Sequence, residues 1–76
     1  MYDVGRCLLS DKLQQARMTQ QELASRLDVT KQQVNNYVFG RRVMTLSIAK
    51  NVAAILGCEI DDLYEWDYVV NRKKRQ

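Results

Sequence analysis

With 76 residues and no histidine, the chain has room for one small domain and lacks the side chain most used as a general base or zinc ligand. Its formal charge of +3 is unevenly spread: residues 17–50 hold six Lys or Arg against Glu22 and Asp28, residues 59–67 hold five acids, and "RKKR" at Arg72–Arg75 adds four positive charges. One region is suited to meeting anions and another to repelling them.

No run approaches the roughly 18 apolar residues of a membrane span, and the charged start "MYDVGRCLLSDKL" does not read as a signal peptide. A cytoplasmic protein is expected. Cys7 and Cys58 read as small buried hydrophobes. A disulfide is not expected in a reducing compartment, and two cysteines without histidine make no ordinary zinc site.

The pattern is helical almost throughout, with no proline and no repeat. Val4, Leu8, Leu9, Leu13 and Ala16 fall on one face of a first helix. Thr19 followed by Glu22 is a capping box, which predicts a second helix to about Leu27 with Leu23, Ala24 and Leu27 buried. After "DVT", Thr30 and Gln33 form another box. A third helix is predicted from about Lys31 to Phe39, burying Val34 and Tyr37 and stopped by Gly40. Thr45 caps a fourth, with Leu46, Ile48, Ala49, Val52, Ala53, Ile55 and Leu56 inward and Gly57 at its end. Asp61 can cap a last short helix through Leu63 and Tyr64. "WDYVV" reads as a strand, a helix extension or a tail facing a partner. The basic end reads as frayed.

Two short capped helices joined by a tight turn form a helix-turn-helix, at about residues 19–39. Ala24 sits where a larger side chain would push the second of these helices away. Leu23, Leu27, Val29, Val34 and Tyr37 occupy the positions that fix the crossing angle.

The stretch "MTQQELASRLDVTKQQVNNYVFGRRVMTLSIAKNVAAILGCEIDDLYEW" resembles the Cro/repressor (Xre-type) helix-turn-helix family, particularly small regulators of Gram-positive bacteria and their prophages and mobile elements. The resemblance covers most of the chain, from about Leu8 to Trp66. It implies an all-α, compact five-helix, lambda-repressor-like domain over residues 1–66, with residues 67–76 as a C-terminal extension ending in the basic tail. It also implies binding to double-stranded operator DNA, commonly as a dimer, with the third helix in the major groove. Two positions depart from the family pattern. Glycine is usual where this chain has Asp28, and a left-handed residue is expected there. Glycine is also frequent at the place of Arg17. Either change can shift the angle between helices.

On that reading, the start of the third helix points Lys31, Gln32 and Gln33 at base edges, with Asn36 one turn further on. Amides match adenine N6 and N7, and lysine matches guanine or phosphate, so adenine-containing steps with one G·C pair are expected. Phosphate contacts are expected from Thr19, Gln20, Thr30, Asn35, Arg41 and Arg42. "RKKR" is a solubilising tail, a basic arm along DNA, or a cloning remnant. One recognition helix covers only about four or five base pairs, so a homodimer on a palindromic site is expected, with recognition helices roughly 34 Å apart. The aromatic, apolar C-terminal stretch Tyr64, Trp66, Tyr68, Val69 and Val70 is the expected interface.

The function expected is a sequence-specific transcriptional regulator of the repressor kind. The alternative is an antitoxin-like or anti-regulator module that holds a protein partner through its acidic, aromatic end. An enzyme is not expected, since no nucleophile–base pair or phosphate-binding glycine loop is visible. No cofactor, metal or small-molecule ligand is expected either.

Overall fold

The computed structural model describes residues 1–70. Its elements are β1 (Tyr2–Cys7), α1 (Leu9–Gln15), α2 (Gln20–Leu27), α3 (Lys31–Val38), α4 (Leu46–Leu56), a 3₁₀ turn (Ile60–Leu63) and β2 (Tyr64–Tyr68). The domain is therefore four α-helices with a two-stranded antiparallel sheet, not the five-helix, all-α fold expected.

The main correction lies at the start. Val4 does not open a helix; it lies exposed on β1, and the first helix begins only at Leu9. Aromatic and β-branched residues alternate here, at Tyr2 and Val4, with Asp3 between them, and they face a matching set on β2. Tyr2 pairs with Tyr68, Asp3 with Asp67, Val4 with Trp66 and Cys7 with Tyr64. Between Val4 and Cys7 the register shifts, so Gly5 and Arg6 oppose Glu65 alone as a bulge. A Cβ on Gly5 would lie 2.8 Å from the Glu65 carbonyl oxygen, so only glycine fits without backbone movement. β2 also runs past residue 66, where the domain was expected to end, and makes Asp67 and Tyr68 part of this ribbon. Of "WDYVV", Trp66, Asp67 and Tyr68 form a strand rather than a helix extension, and Val69 and Val70 follow its end.

Leu9, Leu23, Val34, Val52 and Leu63 are fully buried and tie the four helices and the 3₁₀ turn together. Each removes about 1.5–3 kcal/mol of apolar surface energy from water. Ala24 is equally buried at the α2–α3 contact, as its size suggested. Besides Val4, two further expected core positions are outside. Ala16 is exposed, and Leu46 is 77% exposed in the first turn of α4. The last helix shrinks to the single 3₁₀ turn. Its N-terminus is closed by Asp62, whose carboxylate accepts from the Glu59 N–H at 3.0 Å, rather than by Asp61. Cys7 and Cys58 are free and half-buried, and burial pushes both thiols above their usual pKa.

Candidate nucleic-acid interface

Both helix starts in the motif are capped as their sequences dictate. The Glu22 N–H donates to Thr19 Oγ1 at 3.0 Å, and the Thr19 N–H donates to Glu22 Oε1 at 2.8 Å. The Thr19 N–H, and after it the Thr19 hydroxyl, hold the Glu22 carboxyl below its usual pKa. At α3, the Gln33 N–H donates to Thr30 Oγ1 at 3.1 Å and the Thr30 N–H to Gln33 Oε1 at 3.2 Å. Between the helices, Asp28 adopts the expected left-handed conformation, with φ 59° and ψ 44°. The Val29 N–H then closes on the Ala24 carbonyl at 3.0 Å. Arg17, the other departure from glycine, is also left-handed, at φ 56°. A left-handed non-glycine residue costs about 1–2 kcal/mol, so the chain forms both turns against that penalty.

Val34 and Tyr37 anchor α3 in the core. Lys31, Gln32 and Gln33 are exposed at its start and Asn36 is half-exposed one turn later. Gln20 of α2 meets α3 at Asn35, whose Nδ2 donates to Gln20 Oε1 at 3.3 Å. Thr19, Gln20, Gln21, Lys31 and Asn35 line one shallow polar hollow of ≈ 340 Å³ between the two helices. Thr19, Gln20, Lys31 and Asn35 are thus brought together. Arg42 stays in the exposed loop that follows α3.

Arg41 is placed differently from a simple loop arginine. Gly40 at φ 76° turns the chain back over the end of α3, and the Arg41 N–H donates to the Asn36 carbonyl at 2.9 Å. The guanidinium Nη1 then reaches Asn35 Oδ1 at 3.1 Å and Asn36 Oδ1 at 3.4 Å, with Cζ 5.3 Å from the centroid of the Phe39 ring. Asn36 Oδ1 also accepts from Gln32 Nε2 at 3.1 Å. Gln32, Asn36 and Asn35 are therefore joined in one network through Arg41, while Gln33 stays with the Thr30 cap. The spacing of Asn35 and Asn36 from an arginine just past a helix-ending glycine is the only sequence sign of this.

The residues assigned to a dimer interface divide. Tyr64 is not available to a partner. It is 7% exposed, and its hydroxyl accepts from the Met44 N–H at 3.0 Å, which pins the α3–α4 loop to the sheet. Trp66, Tyr68 and Val70 are exposed, at 39, 65 and 55%, and Val69 is half-buried beside Met1. Tyr2 and Val4, not foreseen, join this set from β1, and the Tyr2 and Tyr68 rings meet edge-on at 5.2 Å. Burial raises the Tyr64 phenol above its usual pKa. The Arg72–Arg75 tail lies outside the described residues.

The helix-turn-helix family profile matches residues 9–63, from the first residue of α1 to the end of the 3₁₀ turn, so both strands lie outside it. The chain is also 34% identical over 65 residues to YopS of Bacillus subtilis (strain 168), an uncharacterized HTH-type transcriptional regulator derived from the SPbeta prophage. That alignment spans 84% of this chain and 88% of the relative. With capped helices, a left-handed turn and a buried small residue at their contact, and with the profile covering most of its length, the chain belongs to the helix-turn-helix family of Cro/repressor (Xre) type.

Proposed function

We propose that this protein is a sequence-specific double-stranded DNA-binding transcriptional regulator, a cytoplasmic repressor of phage or mobile-element type, and not an enzyme. The observation that carries the reading is the outer face of α3. Lys31, Gln32 and Gln33 are exposed at the helix start while Val34 and Tyr37 fix the opposite face. A rigid helix end with exposed polar side chains is what the major groove accepts. Asn36 contributes from the next turn. Phosphate contacts come from Thr19, Gln20, Thr30, Asn35, Arg41 and Arg42, which flank that face. Similarity to a prophage-derived regulator supports the same reading.

The protein acts as a homodimer on a palindromic operator. Support comes from the exposed apolar residues of the ribbon, Tyr2, Val4, Trp66, Tyr68 and Val70, more than a small domain's surface usually carries in one place. No small-molecule ligand enters the mechanism.

The test is a mobility-shift titration at about 0.15 M salt with a selected palindrome and a scrambled control, since salt sets the non-specific background. The palindrome is retained and the scrambled duplex is not. The double variant Gln32→Ala, Gln33→Ala loses about 2 kcal/mol or more of that discrimination. Unchanged discrimination in the double variant refutes base reading by α3.

A further inference from the structure

The amides of α3 differ in what they have left to offer a base. Gln33 Oε1 is occupied by the Thr30 N–H of the capping box, so only its Nε2 donors face outward. Asn36 Oδ1 is occupied twice, by Gln32 Nε2 and by Arg41 Nη1, which again leaves only Nδ2 donors. Asn35 Oδ1 is held by the same arginine nitrogen, and its Nδ2 by Gln20. Gln32 is the exception. It spends one Nε2 hydrogen on Asn36 and keeps its second, and among the described residues its Oε1 has no partner. An amide needs a free donor and a free acceptor to match adenine N6 and N7 together, whereas guanine N7 and O6 and thymine O4 need donors alone.

We infer that Arg41 is a specificity-determining positioning residue, which occupies the Asn36 side-chain carbonyl so that Asn36, like the capped Gln33, reads acceptor edges, guanine or thymine, while Gln32 alone reads adenine. This rests on the proposed binding of α3 in the major groove, and it revises the expectation that all three amides favour adenine. Arg41 reaches Asn36 because Gly40 reverses the chain, and the Phe39 ring holds the guanidinium beside it. One nitrogen, Nη1, serves Asn35 and Asn36 at once, and the planar guanidinium set over the Phe39 ring fixes its position, which a flexible lysine ammonium does not reproduce.

Selection of bound sequences from random duplex DNA, run on the full chain and three variants, tests it. Gln33→Glu keeps the cap acceptor and removes the donor. Asn36→Asp keeps the acceptor for Gln32 and Arg41 and removes its donor. Arg41→Lys keeps the charge and removes the planar guanidinium held over the Phe39 ring. Folding of each is checked by thermal melting. Because added carboxylates weaken binding to any DNA, the readout is base preference at each position, not affinity. The wild type selects guanine or thymine at the positions whose preference changes in Gln33→Glu and Asn36→Asp, and that preference falls about tenfold or turns toward cytosine. Arg41→Lys relaxes the Asn36 position by a similar factor while the dependence of binding on salt stays the same. The inference is overturned if the altered positions are adenine, or if Arg41→Lys keeps every preference and changes only affinity. Recovery of no preferred sequence by the folded wild type overturns the DNA-reading function itself, and the inference with it.

Discussion

Removing one oxygen atom from Tyr64 tests how the ribbon is joined to the helices. In Tyr64→Phe the ring keeps its place, 7% exposed, but the Met44 N–H loses its acceptor while Met44 stays 6% exposed. A buried donor left without a partner costs about 1–3 kcal/mol. A groove of ≈ 250 Å³ lined in part by Val43 and Tyr64 runs alongside, and water entering it would bring the loss toward the lower end of that range. Domains of this size are stable by about 4–11 kcal/mol, so the deletion removes a substantial fraction. It lowers the melting temperature by roughly 5–20 °C. Urea unfolding, with thermal melting as a second probe, measures the loss. Tyr37→Phe is the control. Tyr37 is equally buried at 7%, but among the described residues its hydroxyl has no hydrogen-bond partner, so it changes stability by under about 0.5 kcal/mol. A Tyr64→Phe loss below about 0.5 kcal/mol, or one equal to the control, refutes the claim that this bond pins the loop.

Two further expectations concern the motif. Asp28→Gly relieves the left-handed strain at φ 59° and raises stability by about 0.5–1 kcal/mol, while Asp28→Val lowers it by about 1 kcal/mol or more; the reverse order in urea unfolding contradicts the strain argument. Glu22 has its folded pKa below the ordinary 4.5, so its ionised form stabilises the fold. That contribution is complete above 4.5 and is lost as the pH falls through the lower folded value. Glu22→Gln keeps an acceptor for the Thr19 N–H but does not titrate, so its stability falls less than the wild type's over this acid window; parallel curves rule out the assigned role.

Much of the helical part was legible because its signals are local. Thr19, Thr30 and Thr45 each cap the helix that follows them, as their spacing indicated. Asp28 takes the left-handed form that the turn requires. The ribbon was not legible, because Val4 fits both a helical spacing with Leu8 and Leu9 and an alternation with Tyr2. The partner that decides between them lies at the other end of the chain. Nor does the family profile help, since the matched residues 9–63 leave both strands out. Tyr64 looked like an interface residue by composition alone. Its burial depends on a backbone N–H twenty residues away. The role of Arg41 depends on the reversal at Gly40, and side-chain type gives no sign of which amide atoms that reversal occupies.

The ribbon also bears on the order in which the molecule assembles. Its strands join opposite ends of the chain, and closing so long a loop costs about 4 kcal/mol of chain entropy. Against that stand a short ladder broken by a bulge, an exposed Arg6–Glu65 ion pair at 3.3 Å and two aspartates, Asp3 and Asp67, set directly opposite each other. An isolated pair of strands is marginal in water. The strands therefore close after the helices and open before them, while α2 and α3, neighbours in sequence, keep their packing through each opening. With the exposed aromatic residues carried on the ribbon, the proposed dimer surface depends on the pairing of the two strands rather than on the packing of α2 against α3.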